Sequence, residues 1–430
     1  MKLISFRQQL KDGHYNGLFT KLYGAKSVEQ ATGRYLNALQ GFEAAFPTHD
    51  DIAVFSTPGR TEIGGNHTDH NAGFVLAGAV NLDIISIVAG SDSTLVRLKS
   101  EGFDPYLVDL TGEQPVEEER YTSAALVRGV AARMRQLGHK VGGFDCYTTS
   151  SVPNGAGLSS SAAFEVQICT ILNHLYNAGV VDDVTNAQIA QYAENYFFGK
   201  PCGLMDQTAC AVGGLLQIDF NDFDHPIVEQ IQFDFAAQNH ILYLVKTGGS
   251  HADLNEDYTA LENEMKQTAR LLGQPVLRFT SKEAMFQNLA ELREKGNDRA
   301  VLRSYHYFND NQRVLQQADA LRKGDFDRFK ALIIESGYSS FMYCQNVYTN
   351  SHWQEQGVSI ALMVAEDCLQ GKGAWRVHGG GFAGTIQAFV PDDLAAEFEA
   401  RMKATFGDDA CHRTMIRPYG TLRVDSQENR

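Results

Sequence analysis

The sequence predicts an α+β fold in two domains. Two observations carry that reading. Apolar segments of strand period and of helix period both occur along the chain, and they do not alternate strictly as a doubly wound parallel sheet requires. A chain of 430 residues that is 43% hydrophobic can also bury a large core, divided between two units. The boundary is expected within 200–240. It is placed to give domains 1–220 and 221–430, although no linker-like composition marks it.

The elements follow in order. Residues 28–46 read as a helix with Val28, Tyr35, Leu36, Leu39 and Phe42 on one face. Ile52 to Phe55 form a short apolar strand, and Pro58-Gly59 then opens a polar loop that runs to Gly73. Phe74 to Ala89 is strand-like, as is Gly143 to Val152. From Leu158 the period changes: Leu158, Ala162, Val166, Cys169, Leu172 and Tyr176 recur every three or four residues, a helical stripe. Thr185 is a plausible N-cap for a helix ending at Phe198, closed by Gly199. Leu215 to Phe220 and Ile241 to Lys246 are strand-like, and 252–330 is charged and mostly helical. Val377 leads into Gly379-Gly380-Gly381, a strand follows from Thr385 to Val390, and Pro391-Asp392 opens an amphipathic helix.

Composition narrows the function classes. The formal net charge of −15 argues against general affinity for nucleic acid or acidic membranes. It leaves room for an anionic substrate, because local backbone dipoles and a metal ion can dominate at a site. No run of about 18 apolar residues occurs, so no membrane span is expected. The N-terminus lacks the apolar stretch of a secretory signal. Seven scattered cysteines without a CxxC pair read as reduced thiols, which points to the cytoplasm.

One segment carries phosphate chemistry: Pro153-Asn154-Gly155-Ala156-Gly157-Leu158-Ser159-Ser160-Ser161. A strand enters it and a helix leaves it. Its glycines permit tight turns and close backbone approach. Free N–H groups and the helix dipole at the exit attract phosphate oxygens. It is neither a Walker loop, which needs Gly-Lys-Ser/Thr, nor the dinucleotide fingerprint, because Ser160 stands where a third glycine is required. Alone, the segment also fits a surface turn before a buried helix.

Three companions give it meaning: Pro58 to Asn71, Glu194 with Pro201-Cys202-Gly203-Leu204-Met205-Asp206-Gln207, and Val377 to Gly384. Together the four motifs resemble the GHMP kinase superfamily, and more closely its galactokinase branch, over about residues 20–420. The resemblance implies an N-terminal mixed-sheet domain holding the phosphate loop, a C-terminal ferredoxin-like α/β sandwich, and an active site between them. It implies a sugar 1-kinase that uses ATP and Mg2+ and phosphorylates an anomeric hydroxyl; the sequence does not give the oligomeric state, and a monomer is the expectation.

By the same resemblance Asp206 and Arg60 are catalytic, as base and as charge-stabilising partner. Asn66, His67, Asp69, Gly203 and Tyr258, the last seven residues after His251, contact sugar. Residues Pro153 to Ser161 bind ATP. Glu194 with Ser160 or Ser161 holds the metal, and Gly379, Gly380 and Gly381 belong to a loop that closes over the site. Singly, each has a plainer reading: Asp206 as a helix cap, Arg60 as a surface ion-pair partner, Glu194 as an exposed helix residue, Tyr258 as packing.

The sequence departs from the family pattern where the sugar is read. Glu62 stands for asparagine, Gly64 for isoleucine, Asn66 for the glutamate that normally bonds the 6-hydroxyl, and His70 for tyrosine. Ser123 and Leu126 replace the aromatic residues before Gly129-Val130, and His378 replaces a threonine beside the closing loop. Three readings follow: galactose as acceptor, a related sugar (galacturonate, arabinose or an N-acetylhexosamine), or a non-catalytic sugar and ATP sensor.

Overall fold

Strand-forming sequence in the first half builds one large mixed sheet. The computed structural model describes residues 1–153, 157–248 and 254–426. Asn154, Gly155, Ala156 and His251, named above, lie outside the described residues. The strands are β1 (Ala53–Gly64), β2 (Phe74–Gly90), β3 (Leu95–Ser100), β4 (Tyr106–Asp109), β5 (Phe144–Ser150), β6 (Leu215–Asp219), β7 (Ile227–Ile231), β8 (His240–Lys246), β9 (Ala374–Val377), β10 (Thr385–Pro391), β11 (Cys411–Thr414) and β12 (Leu422–Arg423). The first sheet runs β12-β1-β2-β5-β3-β4, with β6 on the other end of β2 and β7 beyond it. Among the described residues, only the β3–β5 pair is parallel. At 17 residues, β2 is long enough to pair with β6 through Phe74 to Gly78 and with β5 through Ile84 to Gly90.

Period-two alternation clothes both faces of this sheet. Val54, Ile85 and Ile87 pack under the helices Leu3–Lys11, Asn16–Tyr23 and Val28–Ala45. Ala53, Phe55, Val88 and Phe144 pack under Ser123–Gln136 and Ser160–Tyr176. The second sheet, β11-β8-β10-β9, is antiparallel throughout. Its core joins Tyr243, Val245, Ile386 and Ala388 to the helices Gly357–Leu369 and Ala395–Phe406. No helix among the described residues is long and apolar enough to cross a membrane.

Three expectations change. The polar loop expected from Pro58 is strand as far as Gly64, and every residue of β1 is buried. The polar side chains of this stretch hid the strand because their partners come from elsewhere: Arg60 pairs with Asp206, Glu62 with Arg376, and Thr61 with Gln387. Irregularities at Pro58/Arg60 and Glu62/Gly64 re-aim these side chains. The helix expected from Thr185 to Phe198 starts instead at Asp183. Asp182 is its N-cap, accepting from the Thr185 N–H at 2.9 Å. Residues Ala193–Phe198 then widen into a π-helix that ends at Gly199 with φ 90°. Finally, β7 and β12 lie beyond residue 220 yet belong to the first sheet, so sheet membership does not divide at 220/221.

Candidate active site

The bulge in β1 turns Arg60 toward the start of the helix Met205–Val212. Its Nε donates to Asp206 Oδ1 at 2.6 Å and its Nη2 to Oδ2 at 2.8 Å, a two-pronged pair. Its Nη1 donates to the Gly157 carbonyl, and its backbone N–H to the Leu158 carbonyl at 3.2 Å. Gly59 permits this approach: a Cβ there would lie 2.9 Å from the Leu158 oxygen. The Ser159 hydroxyl also donates to Asp206. Ser159 sits at φ 53°, a left-handed conformation that a non-glycine residue holds only when its surroundings impose it.

Exposure separates the two partners. The Arg60 side chain is 7% exposed and that of Asp206 29%, so the arginine is no surface ion-pair partner and the carboxylate is partly exposed. Burial works against charge on Asp206, but the Arg60 charge and hydrogen bonds, the Ser159 hydroxyl and the Lys200 charge outweigh it. The carboxyl is held below the usual carboxylate range.

A second acidic group lies beside the first. The Ser161 hydroxyl donates to Glu194 Oε1 at 3.2 Å, and Lys200 Nζ is 3.7 Å from the same oxygen. Gln207 Nε2 donates to Glu194 Oε2 at 2.8 Å and to Glu165 Oε2 at 3.3 Å. Glu165 is fully buried; burial first and the Glu194 charge second push its carboxyl well above the usual range. Gln207 was named only as the end of its motif, and Glu165 and Lys200 were not anticipated. A signal existed for both: Glu165 interrupts an apolar helical stripe, and Lys200 directly precedes the Pro201 motif. The Ser161 hydroxyl and the Glu194 carboxylate are oxygen donors of the kind that could hold a hard divalent cation. Among the described residues no group of three or more His, Cys, Asp and Glu could hold a metal alone.

The opposite wall carries the remaining motif. Asp69 Oδ2 lies 2.0 Å from where a Cβ on Gly203 would stand, so glycine is required for that carboxylate to occupy its place. The His70 ring bridges Asp69 and Glu262, at 3.7 and 3.8 Å. Each carbonyl of the 379–381 glycines is held by a residue the sequence assigned to sugar. Gly379 O accepts from Asn66 at 2.7 Å, Gly380 O lies 2.9 Å from His67 Nε2, and Gly381 O accepts from the Tyr258 hydroxyl at 3.1 Å. Burial, then the neighbouring His70, lowers His67 to about 3, so its ring is neutral.

Asn66 departs from its expected role. It is 0% exposed. Its amide donates to Glu62 and to Gly379 O, and its Oδ1 accepts from Ser340 at 3.1 Å and Asn346 at 2.8 Å. Its backbone N–H donates to Asp310 and its carbonyl accepts from His306. All four places on the amide are filled from within the protein, so none is left to read a ligand.

Residues 125–214 match the GHMP kinases N terminal domain, a span that includes Ser159, Glu194 and Asp206. Residues 40–90 match the galactokinase galactose-binding signature, which includes Arg60 and Asp69. The galactokinase of Streptomyces coelicolor is 31% identical over 354 residues, covering 82% of this chain and 87% of that protein. This chain belongs to the galactokinase family. As a galactokinase-family member it is a sugar kinase with ATP as co-substrate. Solved structures agree on the fold. Lactococcus lactis galactokinase complexed with galactose superposes with a TM-score of 0.78 at 20% identity, covering 90% of this chain and 100% of that one. The Methanococcus jannaschii mevalonate kinase gives 0.60 at 13% identity, covering 85% and 98%.

Proposed function

We propose that this protein transfers the γ-phosphoryl group of ATP to the anomeric hydroxyl of galactose, giving galactose 1-phosphate and ADP. The observation that carries the reading is the Arg60–Asp206–Ser159 cluster, which ties a partly exposed, ionised carboxylate to the exit of the phosphate loop.

Each residue has a task. Asp206 accepts the proton of the attacking hydroxyl; the anomeric hydroxyl is more acidic than an ordinary alcohol, so a carboxylate suffices. Arg60 keeps Asp206 ionised and offsets charge gathering on the reacting oxygens. The N-terminal amides of Ser160–Tyr176 and the preceding loop hold the phosphates. Ser161 and Glu194 would hold Mg2+, which would offset the negative charge of the phosphates. Asp69, seated against Gly203, accepts hydrogen bonds from sugar hydroxyls, and Tyr258 lines the same cleft beneath the glycine loop. The cysteines are free thiols, which supports a reducing, cytoplasmic setting.

The rival acceptors drew their support from Asn66 as an altered reader of the sixth carbon. An amide already spent on Glu62, Gly379, Ser340 and Asn346 withdraws that support and favours galactose. Coupled ADP release tests this across galactose, galacturonate, arabinose and N-acetylgalactosamine. Turnover should be highest with galactose; turnover with galacturonate alone would defeat the assignment. Asp206→Ala should be inactive beside an active wild type, which a non-catalytic sensor does not predict.

A further inference from the structure

His378 is a polar residue of the glycine-rich segment to which the reaction above gives no task. It is 2% exposed and lies between β9 and the 379–381 glycines. The Glu62 backbone N–H donates to its Nε2 at 3.1 Å. The Thr61 hydroxyl, itself accepting from Gln387 at 2.6 Å, stands 3.1 Å from the same nitrogen. A nitrogen that accepts an amide N–H carries no proton, so the proton of the neutral ring is on Nδ1. Burial, then the charges of Arg60 and Arg376, hold the ring far below its ordinary pKa, which keeps it neutral.

The Nδ1–H donor has no hydrogen-bond partner among the described residues. It is aimed at the phosphate loop, 3.3 Å from where a Cβ on Gly157 would stand, and Gly157 has φ +66°. The Gly157 carbonyl is held by the same guanidinium that grips Asp206. His378 therefore faces the edge of the loop nearest the proton acceptor, where the terminal phosphoryl group must pass. Buried donors are rarely left unpaired, and one aimed at an anion site calls for a ligand.

We infer that His378 is a further substrate-contacting residue: its Nδ1–H donates to an oxygen of the phosphoryl group being transferred. The inference rests on the reading of 153–161 as the ATP site. Because the donor is neutral, it adds hydrogen bonding beside the charge of Arg60 without competing for Asp206. The Thr61 and Glu62 contacts to Nε2 fix its tautomer and hold the ring in place.

The test is calorimetric titration of the Mg2+ complexes of ADP and of the non-hydrolysable analogue AMP-PNP into wild type, His378→Gln and His378→Asn. Glutamine keeps an acceptor near the Nε2 position but loses the Nδ1 donor; asparagine puts an amide N–H near Nδ1. H378Q should bind AMP-PNP about tenfold more weakly, the worth of one hydrogen bond to a charged group, with ADP affinity unchanged. H378N should recover most of the loss. A wild-type ratio of the two affinities in H378Q, or equal losses for both nucleotides, overturns the inference. If H378Q does not fold, 15N-histidine NMR of the wild type decides: the Nδ1–H signal of His378 must shift with AMP-PNP and not with ADP, and equal behaviour overturns it. Failure of the wild type to bind either nucleotide defeats the ATP-site reading beneath it, and this inference with it.

Discussion

The proposed phosphate side and the proposed sugar side of the site both carry polar side chains, but these are used differently. On the phosphate side, Arg60, Ser159 and Lys200 converge on Asp206 and Glu194, and Asp206 stays partly open to the cleft. On the sugar side, Asn66, His67 and Tyr258 hold the carbonyls of the 379–381 glycines. A motif position marks where a residue lies, not whether its polar atoms are free. Asp206 keeps an exposed edge and can act on a ligand; Asn66 has none left and acts on the fold.

The largest expected effect lies on the phosphate side. Asp206→Asn removes the proton acceptor and should lower kcat about 10³-fold, read by coupled ADP release on protein that circular dichroism shows to be folded, although buried Arg60 then loses its charged partner. The comparison breaks if Asn66→Ala behaves in the same way. That substitution strands Ser340, Asn346, Glu62 and the Gly379 carbonyl. It should therefore lower stability by about 2–4 kcal/mol in urea titration, whatever it does to sugar affinity.

How far the sequence went follows the same line. Arg60, Glu194 and Asp206 were legible because motif order names them, and the structure brings them to one cleft. The period-two strands and the stripe after Leu158 were legible because one face of each is apolar. The extension of β1 past Pro58 was not, since its polar residues find partners hundreds of positions away, such as Arg376 for Glu62. The left-handed turn that sends Ser159 to Asp206 has no signature in a run of three serines. The return of β12 to the first sheet depends on a two-residue pairing with β1 that no local pattern announces. The four hydrogen bonds that occupy the Asn66 amide were not legible either, because a resemblance supplies positions whereas those partners are set by the fold.

Smaller effects sharpen the contrast. Gly203→Ala places a methyl 2.0 Å from Asp69 Oδ2, so the carboxylate must move. The sugar KM should rise about tenfold while the ATP KM holds, as steady-state kinetics in both substrates will read. The smallest change concerns pH. Asp206 is ionised below the usual carboxylate range, so the wild type should keep activity as pH falls through that range and lose it only below. Arg60→Gln removes the main opposition to burial, raises the Asp206 pKa, and should move the acid limb of kcat/KM upward. An unmoved limb would assign it to another group.

The central claim is transfer to an anomeric hydroxyl with Asp206 as base. 31P NMR of a reaction containing the purified protein, ATP, Mg2+ and galactose tests it directly. The account predicts one sugar phosphate signal, coupled to the anomeric proton, growing as ADP forms, and absent with Asp206→Asn. Phosphate on another carbon, or the same signal growing equally fast with Asp206→Asn, would contradict it.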